Sequence, residues 1–288
     1  MKIGTRGSQL ARWQAEWVRA RLSERGVRAE LVVIKTRGDA EVDRPLHELE
    51  GKGFFTKEIE DALLDGRIDV AVHSLKDLPT TLPPGLALGA IPRRHDPREA
   101  LVGATSLRDL APGNRVGTSS LRRVAQVRFL RPDLDVVPLR GNVPTRVRKV
   151  ETRDGLDAAL LAIAGLERLG LGQKGTLVDP LDVMPAPGQG ALGIEIRADD
   201  ANTRAAVQGL HDAASAIAVT AERALLAALG GGCQAPVAAW VDGGRLYGRV
   251  TEQDGAVQLT ASAVLNDAAG EAVARLLEGE GAATLLAR

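Results

Sequence analysis

The spacing of apolar and polar positions predicts alternating strands and helices through the first half of the chain. Lys2–Thr5 reads as a short strand, and Ser8 caps a helix whose positions Leu10, Trp13, Trp17 and Arg21/Leu22 recur every three to four residues. Glu30–Lys35 reads as a second strand, ending in Thr36-Arg37-Gly38-Asp39, and a helix follows around Thr56–Leu64. A run of β-branched and apolar residues from Ile68 then reads as a buried strand. It ends in His73, Ser74, Lys76 and Asp77, with Pro79 closing off further pairing. Ligands of open α/β sheets sit at the carboxyl ends of strands, so these four polar groups are aimed where chemistry would be done.

The same marks recur in the same order further on. Gly4-Thr5-Arg6-Gly7-Ser8 and its helix are answered by Gly117-Thr118-Ser119-Ser120 and a second helix. The strand ending Arg37-Gly38-Asp39 is answered by Asp135–Leu139 ending Arg140-Gly141-Asn142. Asp65-Gly66-Arg67-Ile68-Asp69 is answered by Asp154-Gly155-Leu156-Asp157-Ala158. Ordered repetition of this kind predicts a duplicated α/β unit. Beyond about residue 190, Ala191–Ile196 reads as a strand returning to the first lobe, followed by an Ala-rich helix over Asp212–Leu229. The tail reads as strands Arg245–Val250 and Val257–Val264 and a helix from about Gly270.

The expected fold class is therefore α/β: two similar doubly wound lobes facing each other across a cleft, plus a small C-terminal α+β domain. The expected domains are residues 1–94 with 190–211, residues 95–189, and residues 212–288.

Helix N-termini present free N–H groups and a positive dipole end, so such a cleft favours anions. Arg6 stands at this position in the first lobe and Arg122 and Arg123 in the second, with Arg140 and Arg146 at the next strand end and turn. Arginine pairs bidentately with carboxylate or phosphate. The chain has 37 Lys plus Arg against 37 Asp plus Glu, so positive charge must be gathered locally rather than spread as a global field. Zero net charge and 2% aromatic residues argue against a nucleic-acid surface. The N-terminus turns polar too early for a secretory signal, and no apolar run reaches spanning length, so a cytoplasmic protein is expected.

The single cysteine, Cys233, excludes an internal disulfide and a Cys-based zinc cluster. The four histidines, His47, His73, His95 and His211, lack metal-ligand spacing, and no metal is expected. Gly170-Leu171-Gly172-Gln173-Lys174-Gly175 has the letters of a dinucleotide fingerprint but follows a helix, so it reads as a helix-ending turn. Gly51-Lys52-Gly53 lacks the remaining elements of a P-loop. Cys233 follows three glycines and precedes Gln234-Ala235-Pro236, which suits an exposed loop better than a packed core.

These segments resemble the porphobilinogen deaminase (hydroxymethylbilane synthase) family. The similarity runs through Gly4–Ala11 with Trp13-Gln14, Gly51–Glu58, Val72–Pro79, Val116–Arg123, Leu139–Val143 with Thr145-Arg146, Pro187–Ala191 and Gly231–Pro236. Beyond about residue 240 the likeness is one of general pattern. Where some members carry a lysine shortly before Lys52, this chain has Leu46-His47-Glu48-Leu49-Glu50.

The resemblance implies a transferase that joins four porphobilinogen molecules head to tail, releasing ammonia, to give linear hydroxymethylbilane. It implies a dipyrromethane cofactor held by a thioether to Cys233, and Asp77 as the catalytic carboxylate. Lys76, Ser120, Arg122, Arg123, Arg146 and Asp39 are then expected around the cofactor. Arg6, Ser8, Gln14, Ser74, Ser119, Arg140, Arg168, Phe55, Lys52 and Lys57 are expected around substrate and growing oligopyrrole. Each pyrrole carries an acetate and a propionate, which accounts for the clustered arginines. The family implies a monomer, with no nucleic-acid or membrane partner.

Two other readings compete at this level. A non-catalytic anion receptor of the periplasmic type shares the two-lobe layout but needs neither Asp77 nor Cys233. A thiol enzyme would use Cys233 with His73 or His211 as base, a pairing that the spacing does not support.

Overall fold

The computed structural model describes residues 1–36, 56–232 and 235–287. The chain divides into two compact units, Met1–His95 with Ala191–Ala216, and Asp96–Gly190 with Ile217–Arg288.

The first unit is built on a five-stranded sheet in the order β2-β1-β3-β10-β4. Its strands are β1 (Lys2–Arg6), β2 (Glu30–Ile34), β3 (Val70–Ser74), β4 (Leu86–Ala90) and β10 (Leu192–Arg197). β1 lies parallel to β2 and β3, whereas β10 runs antiparallel to both β3 and β4. The predicted return of the chain to the first lobe is thus real, and it inserts an antiparallel strand that alternation alone does not reveal. The centre is aliphatic: Ile3, Val70, Ile194 and Ile196 are fully buried.

Helix α1 (Gln9–Ser23) starts at Ser8, whose side chain accepts a hydrogen bond from the Ala11 N–H at 3.2 Å. Its buried face is Ala11, Gln14, Ala15, Val18 and Leu22. The predicted stripe through Leu10, Trp13 and Trp17 therefore lies to one side, only half-buried. Those large rings do other work: Arg21 sits 5.5 Å over the Trp17 ring, and Trp13 meets His95 edge-on at 6.2 Å. Helix α2 (Lys57–Leu64) covers the sheet through Ile59, Ala62 and Leu63.

The second unit repeats the plan. Its five-stranded sheet runs β7-β6-β8-β5-β9, with β6 parallel to β7 and β8, and β5 antiparallel to β8 and β9. The strands are β5 (Glu99–Val102), β6 (Arg115–Gly117), β7 (Asp135–Val137), β8 (Ala158–Ala162) and β9 (Gly175–Leu177). The repeated sequence marks fall at equivalent places, β1 matching β6 and β3 matching β8. The fourth strand of each sheet is antiparallel, supplied late by β10 in one and early by β5 in the other.

Helices α3 (Leu121–Leu130), α4 (Val143–Glu151) and α5 (Ile163–Arg168) belong to this half. After α5 the backbone turns at Gly170, φ 70°, confirming the glycine run as a helix end.

The same unit contains an antiparallel meander, β11 (Val237–Asp242), β12 (Arg245–Thr251) and β13 (Gln258–Val264). It packs on Leu225, Val273, Ala274 and Leu277 in a core cluster of its own. Within the unit, Arg249 of β12 reaches Gln126 of α3 at 2.9 Å and the Leu181 carbonyl at 2.9 Å.

Candidate active site

In the first unit, strand order and capping bring several predicted residues to one place. β3 ends at Ser74, and a 3₁₀ turn over Leu75–Asp77 follows, anchored where the Leu75 N–H donates to the Ala191 carbonyl at 3.0 Å. β1 ends at Arg6, and Thr5 Oγ1 donates to the Ala11 carbonyl at 3.0 Å, tying the strand to the start of α1. Gln14, buried on α1, donates from Nε2 to Ser74 Oγ at 2.8 Å.

The result is a hollow of about 70 Å³ lined by Arg6, Ser8, Gln14, His73, Ser74 and Asp77. It is large enough for one carboxylate-sized group, at roughly 30 Å³ per water. Asp77 is exposed at its rim, and its side chain has no partner among the described residues. Lys76 is half-buried on the same turn, and Lys57 is exposed at the start of α2. Asp39, Lys52, Phe55 and Cys233 lie outside the described residues.

Behind the hollow is a buried ionisable group that sequence reasoning missed. His73 Nε2 stands 3.0 Å from Glu195 Oε2, with side-chain exposures of 5% and 0%. Glu195 sits in the apolar run of β10, and an acid in the run Leu192-Gly193-Ile194-Glu195-Ile196 was the available signal. Glu60 of α2 is buried as well. Burial raises its carboxyl above the ordinary range, the nearby Thr56 hydroxyl opposes this, and Glu195 adds to it. A raised folded-state value favours the fold below the unfolded value, and that contribution is lost as pH rises through the folded one. Glu60→Gln is therefore expected to flatten the loss of stability as pH rises from the ordinary carboxylate range. Urea unfolding at a series of pH values from that range upward checks this, and an unchanged slope would count against the assignment.

In the second unit, β6 runs through Gly117-Thr118-Ser119-Ser120 into α3. Ser119 Oγ donates to the Leu139 carbonyl at 2.9 Å and accepts from the Leu139 N–H at 3.1 Å, so that hydroxyl ties two strand ends together. Ser120 is the N-cap of α3 and makes no side-chain capping bond. Arg122 and Arg123 are buried rather than open at the helix end. Arg122 Nη2 lies 2.7 Å from Glu99 Oε1, and Arg123 Nη2 lies 2.7 Å from Glu99 Oε2. Their remaining contacts are the Met184 carbonyl at 2.6 Å and the Leu160 carbonyl at 3.0 Å. Burial lowers the Arg122 guanidinium, and Glu99 opposes the shift. Among the described residues two guanidinium groups share this carboxylate, a net positive charge just inside the start of α3.

Arg140 and Arg146 are half-buried beyond the end of β7. Arg146 Nε donates to the Gly141 carbonyl at 2.7 Å, and Asn142 caps α4 by accepting from the Thr145 N–H at 2.9 Å. Gly141 has φ +112°, and a Cβ there would meet Thr145 Cγ2 at 2.8 Å, so the turn requires glycine. Arg168 is buried and donates to the Gly190 carbonyl at 2.7 Å; burial brings its guanidinium down to about 10.

A larger hollow of about 320 Å³ lies in the second unit among Asn114, Glu151, Arg153, Asp157 and Lys174. Charges of both signs rim it, Lys174 pairing with Glu151 at 2.6 Å, and it contains none of the predicted site residues. Among the described residues, no group of three or more His, Cys, Asp or Glu could hold a metal ion. Among the same residues, no helix is long and apolar enough to cross a membrane.

Matched α/β sheets carry hydroxyl- and arginine-bearing strand ends, with a carboxylate on one of them, an arrangement of the kind that suits anionic ligands. Residues 1–205 match the family described as "Porphobilinogen deaminase, dipyromethane cofactor binding domain", and residues 216–278 match "Porphobilinogen deaminase, C-terminal domain". The porphobilinogen deaminase of Syntrophotalea carbinolica is 50% identical over 100% of this chain and 93% of its own length. That of Moorella thermoacetica is 50% identical over 99% of this chain and 95% of its own. A solved periplasmic substrate-binding protein of an ABC transporter from Coxiella burnetii is a far more distant likeness. It has a TM-score of 0.45 at 14% identity, covering 75% of this chain and 94% of that one.

The chain belongs to the porphobilinogen deaminase family. It is a transferase of porphyrin biosynthesis with a dipyrromethane cofactor.

Proposed function

We propose that this enzyme joins four porphobilinogen molecules head to tail into hydroxymethylbilane, releasing ammonia at each addition, with Cys233 carrying the dipyrromethane. The carrying observation is Asp77: an exposed carboxylate without a described partner, on the rim of a hollow otherwise lined by Arg6, Ser8, Gln14 and Ser74. A site of this composition holds a carboxylate-bearing pyrrole by its acid groups and meets its N–H groups with one negative charge.

The second unit's residues fit a cofactor rich in carboxylates. Ser120 keeps its hydroxyl out of the helix cap, the Glu99 cluster leaves net positive charge behind it, and Arg140 and Arg146 stand at the neighbouring strand end. When bound, dipyrromethane supplies the pyrrole end to which substrate is joined. Ser120, Arg140 and Arg146 would hold its acid groups, while Arg122 and Arg123 provide the field beneath them. Lys76 and Asp39 belong to the same proposal, with Lys52, Phe55 and Lys57 reserved for substrate. Arg6 and Ser8 at the start of α1 bind a substrate carboxylate. Asp77 stabilises positive charge on the pyrrole as ammonia leaves, and it manages the N–H protons. The proposal includes three domains with the boundaries given above, acting as a cytoplasmic monomer without nucleic acid.

Intact mass of the denatured protein tests this reading. Two linked pyrroles are expected on the Cys233 peptide, with regular further additions after porphobilinogen is supplied. Cys233→Ser is expected to show the bare chain mass and complete loss of turnover. A bare wild-type mass that neither porphobilinogen nor preformed product changes would overturn the reading of a chain tethered on Cys233.

A further inference from the structure

His73 faces two ways. Its Nε2 is 3.0 Å from Glu195 Oε2, while the residue also lines the hollow beside Asp77, and its Nδ1 has no partner among the described residues. The imidazole thus bridges the hollow and the interior of the first unit.

The interior side is acidic and incompletely satisfied. Glu195 Oε1 and Glu60 Oε1 are both buried without a hydrogen-bond partner. A buried carboxylate oxygen left unpaired costs free energy that one shared proton would relieve. Charged groups on the surrounding described elements are Glu195 and Arg197 on β10, Lys57, Glu58, Glu60 and Asp61 on α2, Lys2 and Arg6 on β1, and Lys76 and Asp77 on the turn following β3. Among these, the interior carboxylates favour a positive imidazole, and Arg6 and Lys76 oppose it.

We propose that His73, clasped by Glu195 and backed by Glu60, is the base that takes up the proton released at each addition. The inference rests on the function proposed above. Each addition breaks the C–N bond of one porphobilinogen's protonated aminomethyl group, whose electron pair leaves with ammonia. A C–C bond forms from that methylene carbon to the free ring carbon of the tethered chain's last pyrrole, and the C–H bond of that ring carbon breaks. Its electrons restore the aromatic ring, and the proton passes to His73 Nδ1. Glu195 stabilises the resulting imidazolium at Nε2 until the proton is returned to solvent or to the departing ammonia. Asp77 keeps its separate task at the pyrrole N–H groups.

The test uses cofactor-loaded enzyme and three readouts: intact mass for loading and additions, turnover against pH, and NMR of the histidine ring during a pH titration. His73→Gln is expected to load normally but lose turnover by about 10²–10⁴-fold, the usual range for a positioned acid–base group. Retention of turnover within a few-fold would overturn the proposal. Should His73→Gln fail to fold, Glu60→Gln decides, because it leaves the hollow's lining intact. Its loading should be normal. The acid limb of its turnover profile, and the His73 ring titration with it, should move to lower pH, since the lost carboxylate no longer favours imidazolium. A limb and titration unchanged from wild type would overturn the assignment. Failure of wild-type enzyme to gain regular mass steps would instead sink the function proposed above, and this proposal with it.

Discussion

Asp77→Asn is expected to lower turnover by about 10²–10⁴-fold, the range associated with a positioned acid–base group, while thermal unfolding stays at the wild-type value. The two halves of this expectation have separate grounds. Asp77 is exposed, ends a 3₁₀ turn and has no described partner, so the fold loses no contact when its charge is removed. The turn is held instead by the Leu75 N–H on Ala191 and by the Leu78 N–H on the Leu75 carbonyl at 3.2 Å. Asparagine keeps the shape but presents a neutral amide where positive charge develops, so transition-state stabilisation is lost and binding through Arg6 and Ser8 remains. KM for porphobilinogen should therefore change much less than kcat. Asp77→Glu keeps the charge but displaces it by one methylene, and should fall between wild type and asparagine. Asp77→Asn retaining most of its turnover would remove the carboxylate from the mechanism.

Much of this architecture is legible in the sequence, because it depends on short-range patterns. Ser8 announces α1, and the β-branched run before His73 announces β3. The repeated glycine-bearing strand ends announce a second sheet that has the order of the first. Among the strands that escaped notice, two have weak local signals. β4 is Leu86-Ala87-Leu88-Gly89-Ala90, with no β-branched residue, and β5 opens on a buried glutamate, Glu99. Both depend on tertiary pairing, β4 with β10 and β5 with β8. At the site, local reading correctly brought Arg6, Ser8, Ser74 and Asp77 to strand and helix ends. It could not tell which polar groups are already engaged. Ser119 is spent on Leu139, Arg122 and Arg123 on Glu99, and His73 on Glu195, each through a partner at least 20 residues away.

The largest effect on stability is expected at Glu99, which is fully buried between two guanidinium groups. Removing the acid from a buried ion pair strands uncompensated charge and typically costs about 3–5 kcal/mol. Glu99→Ala strands two such charges, although Arg122 and Arg123 keep their carbonyl contacts to Met184 and Leu160. Urea unfolding should show a loss at or above that range. Turnover measured under folding conditions should also fall, because Ser120 and the start of α3 lose their foundation. The control is apolar replacement of the whole cluster, Glu99→Leu with Arg122→Met and Arg123→Leu. Well-packed substitution of a buried triad is often neutral or stabilising, so this triple variant should recover most of the lost stability. It should not recover cofactor loading if the net positive charge draws the carboxylates. Recovery of both stability and loading would make the cluster purely structural. Recovery of stability alone would assign its retained charge to binding.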